Sequence, residues 1–336
     1  MTTATIAGVG AALPATVLGN DHFIPLGTSH EWIVKRTGIH TRHWLGPGET
    51  LAGLAEQACR EALADAGRDA REVDHVVVST VTPDRITPGI APGLATRLGA
   101  PNPPALDLNA ACAGFLYALD HACAQIESGR ARCVLVCAAE ALSRITDTTD
   151  RSTAVLFGDA AGAVVVTPAG PGSGERPSFR LGSDGRHEDL LYADPTDRLL
   201  RMSGREVYEF AVGTMVEQTR AVLAGCGLSL ADVGLFIGHQ ANARILRAVA
   251  AELGVPASRT EISIEHVGNT SSASIPFALR QARKGGRLRP GDRIAMAAFG
   301  AGFVWGAGVI RWKALPPEAP AHPEHTPHQQ EEPCHR

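Results

Sequence analysis

Aromatic residues are scarce, 5% of a 336-residue chain that carries 36 Gly and is 44% hydrophobic. Small side chains must therefore do much of the packing, and backbone can approach backbone closely. Cysteine pairing signals are also missing: the seven Cys are an odd number and no C-x-x-C occurs. That argues against a disulfide framework or a zinc knuckle and fits a reducing cytoplasm. No apolar run reaches the roughly 18 residues of a membrane-crossing helix. The N-terminal MTTATIAGVGAALP has no basic region before its apolar stretch, so it reads as strand and turn and not as a signal peptide. Charge of one sign is lacking too: 31 Lys and Arg face 35 Asp and Glu, a net −4, so no global basic field invites nucleic acid. What remains is an ordinary globular composition. At about 100–200 residues per domain, it amounts to one large domain or two of ordinary size.

Strand and helix patterns alternate along the chain. Residues 51–65 place Leu51, Leu54, Ala55, Ala58, Ala62 and Leu63 on one helical stripe. His75–Thr82, residues 104–110, Cys133–Ala138 and Ala163–Thr167 are short apolar runs that suit strands covered by helices on both faces. A helix is expected around 112–127. A Gly/Pro-rich break follows Thr167. The second half then repeats the alternation, with helix 206–224, strand Val233–Gly238, helix Ala243–Leu253, and strands Arg293–Phe299 and Phe303–Arg311. The expected units are 1–168 and 177–313. The last segment, 314–336, is rich in Pro, His and Glu and should be a disordered tail.

Cys112 falls between an expected buried strand and a helix start, among Ala111, Ala113 and Gly114. A helix N-terminus favours a thiolate, and small neighbours leave room for a substrate, although a free Cys is most often a packing residue. Cys59, Cys123, Cys133, Cys137 and Cys226 lie on apolar periodic faces and read as packing. His239 follows the strand Val233–Gly238, where α/β folds gather their active sites. Asn269, in Gly-Asn-Thr-Ser, reads from spacing alone as a turn or capping residue. Gly300–Gly306 lacks the Lys-Ser/Thr of a phosphate loop and suits a tight turn between strands.

Together these stretches are more specific than any one of them. Ala111-Cys-Ala-Gly-Phe115, Gly238-His-Gln-Ala-Asn-x-Arg244, Gly268-Asn-Thr-Ser-x-Ala-Ser-Ile-Pro276 and Phe299-Gly-x-Gly-Phe-x-Trp-Gly-Ala307 resemble the β-ketoacyl-ACP synthase III family of the thiolase superfamily. Glu31-Trp-Ile-Val-x-Arg-Thr-Gly-Ile39, Asp150-Arg-x-Thr153 and Leu156-Phe-Gly-Asp-x-Ala-Gly-Ala163 add to the likeness, which runs in order from Thr5 to Trp312. The resemblance implies an α/β, thiolase-like fold, layered αβαβα, with two pseudo-symmetric halves, working as a homodimer. It implies a catalytic triad of Cys112, His239 and Asn269, and backbone oxyanion donors at Cys112 and Ala301. It places Trp32, Arg36 and Arg151 at the nucleotide end of CoA. Gln240, Ala241, Asn242, Ala243 and Arg244 would meet the acyl carrier protein (ACP), and Thr87 would border the acyl channel across the dimer. Acyl-CoA and malonyl-ACP would be substrates, with no metal or redox cofactor.

The ACP expectation has separate support in charge. Between Ala241 and Arg293 nine Lys and Arg face four acids, on a chain that is acidic overall. A local basic patch suits an acidic partner, although such a face can equally be solvated surface. Asn269 separates the chain from elongating synthases with a Cys-His-His site. Degradative thiolases have a second late Cys, and here the one late Cys, Cys334, falls in the tail. A Cys-His-Asn protease shares the residue order, but its Cys-Gly-x-Cys-Trp stretch is absent. A scaffold that only binds CoA or ACP would have no need of all three triad residues.

Overall fold

The apolar runs become strands whose two faces both meet helices. A computed structural model describes residues 2–170 and 175–313; the expected tail, 314–336, lies outside the described residues. The first half contains β1 (Ala4–Ala12), β2 (Thr16–Gly19), α1 (His30–Thr37), β3 (Thr41–Trp44), α2 (Leu51–Ala66), β4 (His75–Ser79), α3 (Ile90–Leu98), β5 (Ala105–Leu108), α4 (Gly114–Glu127), β6 (Val134–Ala141) and β7 (Asp159–Pro168). The second contains β8 (Ser178–Ser183), β9 (Leu191–Ala193), β10 (Leu200–Met202), α5 (Gly204–Gly225), β11 (Leu235–Gly238), α6 (Ala243–Leu253), α7 (Ser274–Lys284), β12 (Arg293–Gly300) and β13 (Val304–Arg311).

The first sheet runs β1-β7-β6-β4-β5 and the second β8-β13-β12-β11. In both, two antiparallel pairings precede the parallel ones. Among the described residues the second sheet has no strand matching β5, but Thr260 makes a lone parallel bridge to Phe236 of β11 at that edge. The halves thus share one plan with different side chains.

Alternation along each strand builds the layers. In β6, Val134, Val136 and Ala138 join the central core with α4 and α7, whereas Leu135, Cys137 and Ala139 face α2 and α3. In β12, Ile294, Met296 and Ala298 face the same central core, and Ala295, Ala297 and Phe299 face α5 and α6. The order is α2/α3, sheet, α4/α7, sheet, α5/α6, an αβαβα stack. Small residues set its spacing. A Cβ on Gly10 of β1 would lie 2.2 Å from the Ala58 carbonyl oxygen of α2, so this strand and helix touch through backbone.

The helix expected over Ala243–Leu253 is observed with those bounds. Asn242 caps it by accepting from the Arg244 N–H at 2.8 Å. Other boundaries differ. β6 continues three residues beyond the expected Ala138 because a buried acid, Glu140, sits inside the sheet. β7 begins four residues earlier, at Asp159, whose carboxylate accepts from Ser143 and from the Leu45 N–H. The helix expected from 112 starts at Gly114, because Ala111–Ala113 form a tighter 3-10 turn. Cys226 is exposed just past α5, not buried on an apolar face. No helix among the described residues is long and apolar enough to cross a membrane.

Candidate active site

Cys112 sits on a sharp strand-to-helix turn. Ala111 takes a left-handed backbone (φ 46°), and the Asn109 side chain holds that turn by accepting its N–H at 3.1 Å. A left-handed non-glycine residue is sparsely populated, and such conformations gather at functional sites. Two glycines admit the turn. A Cβ on Gly114 would lie 2.1 Å from Ser79 Oγ, and one on Gly300 would lie 2.7 Å from the Cys112 backbone nitrogen. The thiolate expected from the helix start is not what the surroundings favour. Burial pushes the Cys112 thiol up to about 11; the neighbouring Ser271 side chain works against burial, and the nearby Glu140 carboxylate adds to it. Desolvation outweighs the helix end here.

His239 follows β11 and is anchored by its own N–H on the Ala297 carbonyl oxygen at 2.8 Å. Its ring is buried, which lowers its pKa to about 4, so it is neutral near pH 7. Nδ1 lies 2.7 Å from Ser274 Oγ, and that oxygen also accepts the Gln240 N–H at 3.2 Å. With one lone pair of Ser274 so engaged, its hydroxyl proton is available for Nδ1, which places the imidazole proton on Nε2.

Asn269 fills two roles. Its Oδ1 accepts the Ser271 N–H at 2.9 Å, as expected of a turn residue. That bond fixes which end of the amide is oxygen and leaves the Nδ2 hydrogens toward the cavity. Its backbone is clamped, donating to the Leu156 carbonyl at 2.8 Å and accepting from the Gly158 N–H at 2.9 Å. The Leu156-Phe-Gly-Asp stretch therefore serves to hold Asn269. A Cβ on Gly158 would lie 2.1 Å from the Val267 carbonyl oxygen.

Cys112, His239, Asn269 and Ala301 line one cavity of about 1360 Å³, with Leu142, Ile145, Leu191, Met202 and Tyr208 among its apolar walls. It has room for a thiol nucleophile, two neutral N–H donors and a long apolar ligand.

Trp32, Arg36 and Arg151 come together outside the cavity lining. The Arg36 guanidinium lies 4.2 Å and that of Arg151 5.8 Å from the Trp32 ring centre. The Arg36 carbonyl accepts from Asn242 Nδ2 at 3.1 Å, and Asn242 does line the cavity. The cluster therefore adjoins the cavity lining at Asn242.

The expected ACP stretch needs correction. Gln240 is buried and fully engaged, its Nε2 donating to the Gly238 and Glu261 carbonyls and its Oε1 accepting from the Ser263 N–H. Ala243 is fully buried against Gly38. Neither can meet a partner. Arg244 and Arg247 are exposed, and Arg244 lies 5.8 Å over the ring of Tyr208, a cavity residue. The nine-cation patch is smaller than its count. Arg280, Arg283, Arg287 and Arg293 pair with Glu61, Asp65, Glu261 and Glu175, and Arg259 donates to the carbonyls of Leu230 and Val233.

Thr87 is exposed and does not line its own chain's cavity, although Arg85 and Ile86 do. Nor does it cap α3; the Asp107 carboxylate accepts from the Ile90 and Ala91 N–H groups instead. Sequence reading missed Ser274, Ser271 and Glu140. The available signal was a lone acid in an apolar strand, and the serines at 271 and 274 shortly after Asn269. No cluster of three His, Cys, Asp or Glu placed to hold a metal occurs among the described residues.

Comparison with known proteins agrees with this geometry. Residues 106–185 match the family described as 3-oxoacyl-[acyl-carrier-protein] synthase III, and residues 223–312 match its C-terminal counterpart. A β-ketoacyl-[acyl-carrier-protein] synthase III of Rhodospirillum centenum is 47% identical over 317 residues, covering 91% of this chain and 98% of its own. The crystal structure of 3-oxoacyl-[acyl-carrier-protein] synthase III from Aquifex aeolicus superposes with a TM-score of 0.88 at 43% identity, covering 92% of this chain and all of the other. The priming β-ketosynthase of the R1128 polyketide biosynthetic pathway superposes with a TM-score of 0.88 at 36% identity, covering 94% and 97%. The fold and cavity define a thiolase-fold condensing acyltransferase. Within that class, the chain belongs to the β-ketoacyl-ACP synthase III family.

Proposed function

We propose that this chain condenses an acyl-CoA starter with malonyl-ACP, releasing CoA and carbon dioxide and forming 3-oxoacyl-ACP. The observation that carries the reading is the convergence of Cys112, His239 and Asn269 on one cavity, with the two nitrogen side chains oriented by Ser274 Oγ and by the Ser271 N–H. Cys112 takes the acyl group as a thioester, which splits a hard condensation into two steps. Loss of carbon dioxide from malonyl-ACP leaves negative charge on the thioester oxygen. Nε2–H of His239 and Nδ2–H of Asn269 stabilise it. The enolate carbon then attacks the acyl-Cys112 carbonyl, whose oxygen meets the backbone N–H groups of Cys112 and Ala301. Decarboxylation drives the bond formation, so CoA and the carrier's phosphopantetheine serve as substrate handles and the reaction calls for no metal or redox cofactor. Trp32 would stack on the CoA adenine, with Arg36 and Arg151 toward its phosphates.

A polyketide priming role is a second reading, supported by the likeness to the R1128 priming ketosynthase and by the size of the cavity. One assay separates the two: incubation with malonyl-ACP and a panel of acyl-CoAs, with the ACP-bound product identified by mass. Preference for acetyl or short branched starters favours fatty acid initiation. Preference for other starters favours priming. No 3-oxoacyl-ACP from any starter defeats both.

The carrier protein docks at the exposed cations beside the mouth, Arg244 and Arg247, where an acidic partner finds opposite charge. Arg244→Glu is expected to weaken the use of malonyl-ACP at least tenfold while acyl-CoA loading changes little. The ratio of kcat/KM for the two substrates reads this out, and equal losses count against the dock.

We further propose a homodimer formed across the exposed edge at β5, where Leu106 is part-exposed and the nearby Ile86 is 85% exposed. Thr87 then reaches the partner's acyl channel, which a smaller side chain leaves open. Each buried methylene contributes about 0.8 kcal/mol, so each carbon that fits should raise affinity roughly fourfold. A chain-length series on wild type and Thr87→Phe checks this. Wild type should accept starters of four carbons or more, and the Phe variant should lose them while keeping acetyl. A wild type restricted to acetyl would remove the open channel.

A further inference from the structure

A buried carboxylate with no part in the steps above stands one side chain away from the nucleophile. Glu140 is fully buried on β6. Its Oε2 accepts from the Val81 N–H and the Thr82 hydroxyl, each at 3.0 Å, with the Thr80 hydroxyl at 3.4 Å. Its Oε1 accepts from the Ser272 hydroxyl at 2.7 Å and the Ser271 hydroxyl at 3.1 Å. Ser271 Oγ in turn lies 3.5 Å from Cys112 Sγ. Ser271 is held there by a left-handed backbone (φ 49°) and by its N–H on Asn269 Oδ1.

The polarity of this chain follows from counting protons. Ser271 has one hydroxyl proton and two neighbours. The carboxylate is the nearer and stronger acceptor, so the proton points to Glu140 and an oxygen lone pair faces the thiol. The line reads Sγ–H of Cys112, Oγ–H of Ser271, Oε1 of Glu140. A neutral side chain would fill the same space without the cost of burying a charge.

We propose that Glu140, acting through Ser271, takes up the thiol proton of Cys112 when that cysteine is acylated and returns it when the cysteine is released. The proposal rests on Cys112 being the acylated residue. As Sγ attacks the acyl-CoA carbonyl, the S–H bond breaks, its proton passes to Ser271 Oγ, and the Ser271 proton passes to Glu140. The carbon–sulfur bond to CoA then breaks, and CoA leaves as a thiolate that takes one proton from water. In condensation the enolate expels Cys112 as a thiolate, and the proton held on Glu140 returns along the same path. One proton is taken up per turnover, which matches loss of carbon dioxide from a carboxylate.

The environment favours this arrangement. Burial raises the pKa of Glu140 despite its donors, and the Glu140 charge helps to raise that of Cys112. Two anions so close in a low dielectric are disfavoured, so the pair shares one proton. A protonated Glu140 also places no negative charge near the enolate. Three neighbouring titratable groups are engaged elsewhere: Asp159 of β7 by Ser143 and the Leu45 N–H, Arg144 by Asp84, and His239 by Ser274.

The test follows acylation by acetyl-CoA in single turnovers, with the adduct mapped by peptide mass, in wild type, Glu140→Gln, Ser271→Gly and the double variant. Glycine suits the left-handed backbone at 271. Each single variant should acylate about 100-fold more slowly or worse, the double no slower than the slower single, and acylation should suffer at least tenfold more than malonyl-ACP decarboxylation. In the variants the acylation rate should climb tenfold per pH unit toward the thiol's own ionisation, while wild type levels off. Thermal unfolding shows that each variant is folded; Ser271→Gly, which leaves the carboxylate in place, carries the test if Glu140→Gln is not. An adduct on Cys112 formed at near wild-type speed in the folded variants, or slow variants with a wild-type pH profile, overturns the relay alone. An adduct mapped elsewhere in wild type overturns the role of Cys112 and the relay with it.

Discussion

Cys112→Ala is expected to form no acyl adduct with any acyl-CoA and no 3-oxoacyl-ACP. Among the described residues Cys112 alone of the cysteines lines the cavity; Cys59, Cys123, Cys133 and Cys137 are buried in the layers. The substitution removes one sulfur from a site that already packs against Ala111 and Ala113, so the turn should survive it. The effect is thus on chemistry and not on folding, and it is total because no second thiol among the described residues lines the cavity. Decarboxylation of malonyl-ACP should persist, since its donors are elsewhere. Intact mass after incubation with acyl-CoA gives the answer. Among the described cysteines, exposed Cys226 is the one that could mislead through slow nonspecific thiol exchange, so any residual adduct must be mapped. An adduct in Cys112→Ala that turns over with malonyl-ACP would place the nucleophile at another residue.

The layered fold was legible where one kind of force dominates. Strands β4, β6 and β12 are apolar on both faces because both faces are covered, and unbroken runs reveal that directly. The amphipathic α6 was legible from its apolar stripe, whereas its Asn242 cap emerges only in the structure. Where polar groups enter the core, the pattern fails. Glu140 hides the end of β6 and Asp159 the start of β7, because a buried acid looks like a strand end until its donors are seen. Those donors come from residues 80–82, 271 and 272 for one and from 45 and 143 for the other, far from the acid along the chain. The meeting of Cys112, His239 and Asn269 on one cavity was legible through the motifs, but their electrostatics were not. The helix start suggests a thiolate, whereas enclosure of Sγ leaves it a reluctant acid. The cation count near α6 overstates the dock because five of the nine cations are bound to acids or carbonyls of the same chain. Gln240 and Ala243 share a motif with Arg244 yet face inward, since the turn after β11 packs both of them against the core.

His239→Ala and Asn269→Ala are each expected to slow malonyl-ACP decarboxylation by about 100–1,000-fold, the usual loss on removing one oxyanion donor, or roughly 2.7–4 kcal/mol. Acyl loading of Cys112 should fall much less, because neither donor touches the acyl-CoA carbonyl in that step. The two residues are not equivalent. His239 acts as a neutral donor only while its ring is unprotonated, and burial keeps its pKa near 4. Wild-type decarboxylation should therefore hold as pH falls through 6.5, where an exposed imidazole would titrate, and should fail as pH nears 4. Asn269 has no such transition, but its orientation depends on the Ser271 N–H at Oδ1. Asn269→Asp keeps that bond and replaces the Nδ2 donor by an acceptor, which would set negative charge against the forming enolate. It should lose at least as much activity as Asn269→Ala, although the side chain is nearly the same size. Carbon dioxide release from malonyl-ACP, measured without acyl-CoA, checks all three variants. Near-normal release by Asn269→Asp would mean that residue 269 serves only to shape the turn, and the enolate would have to be held by His239 and backbone alone.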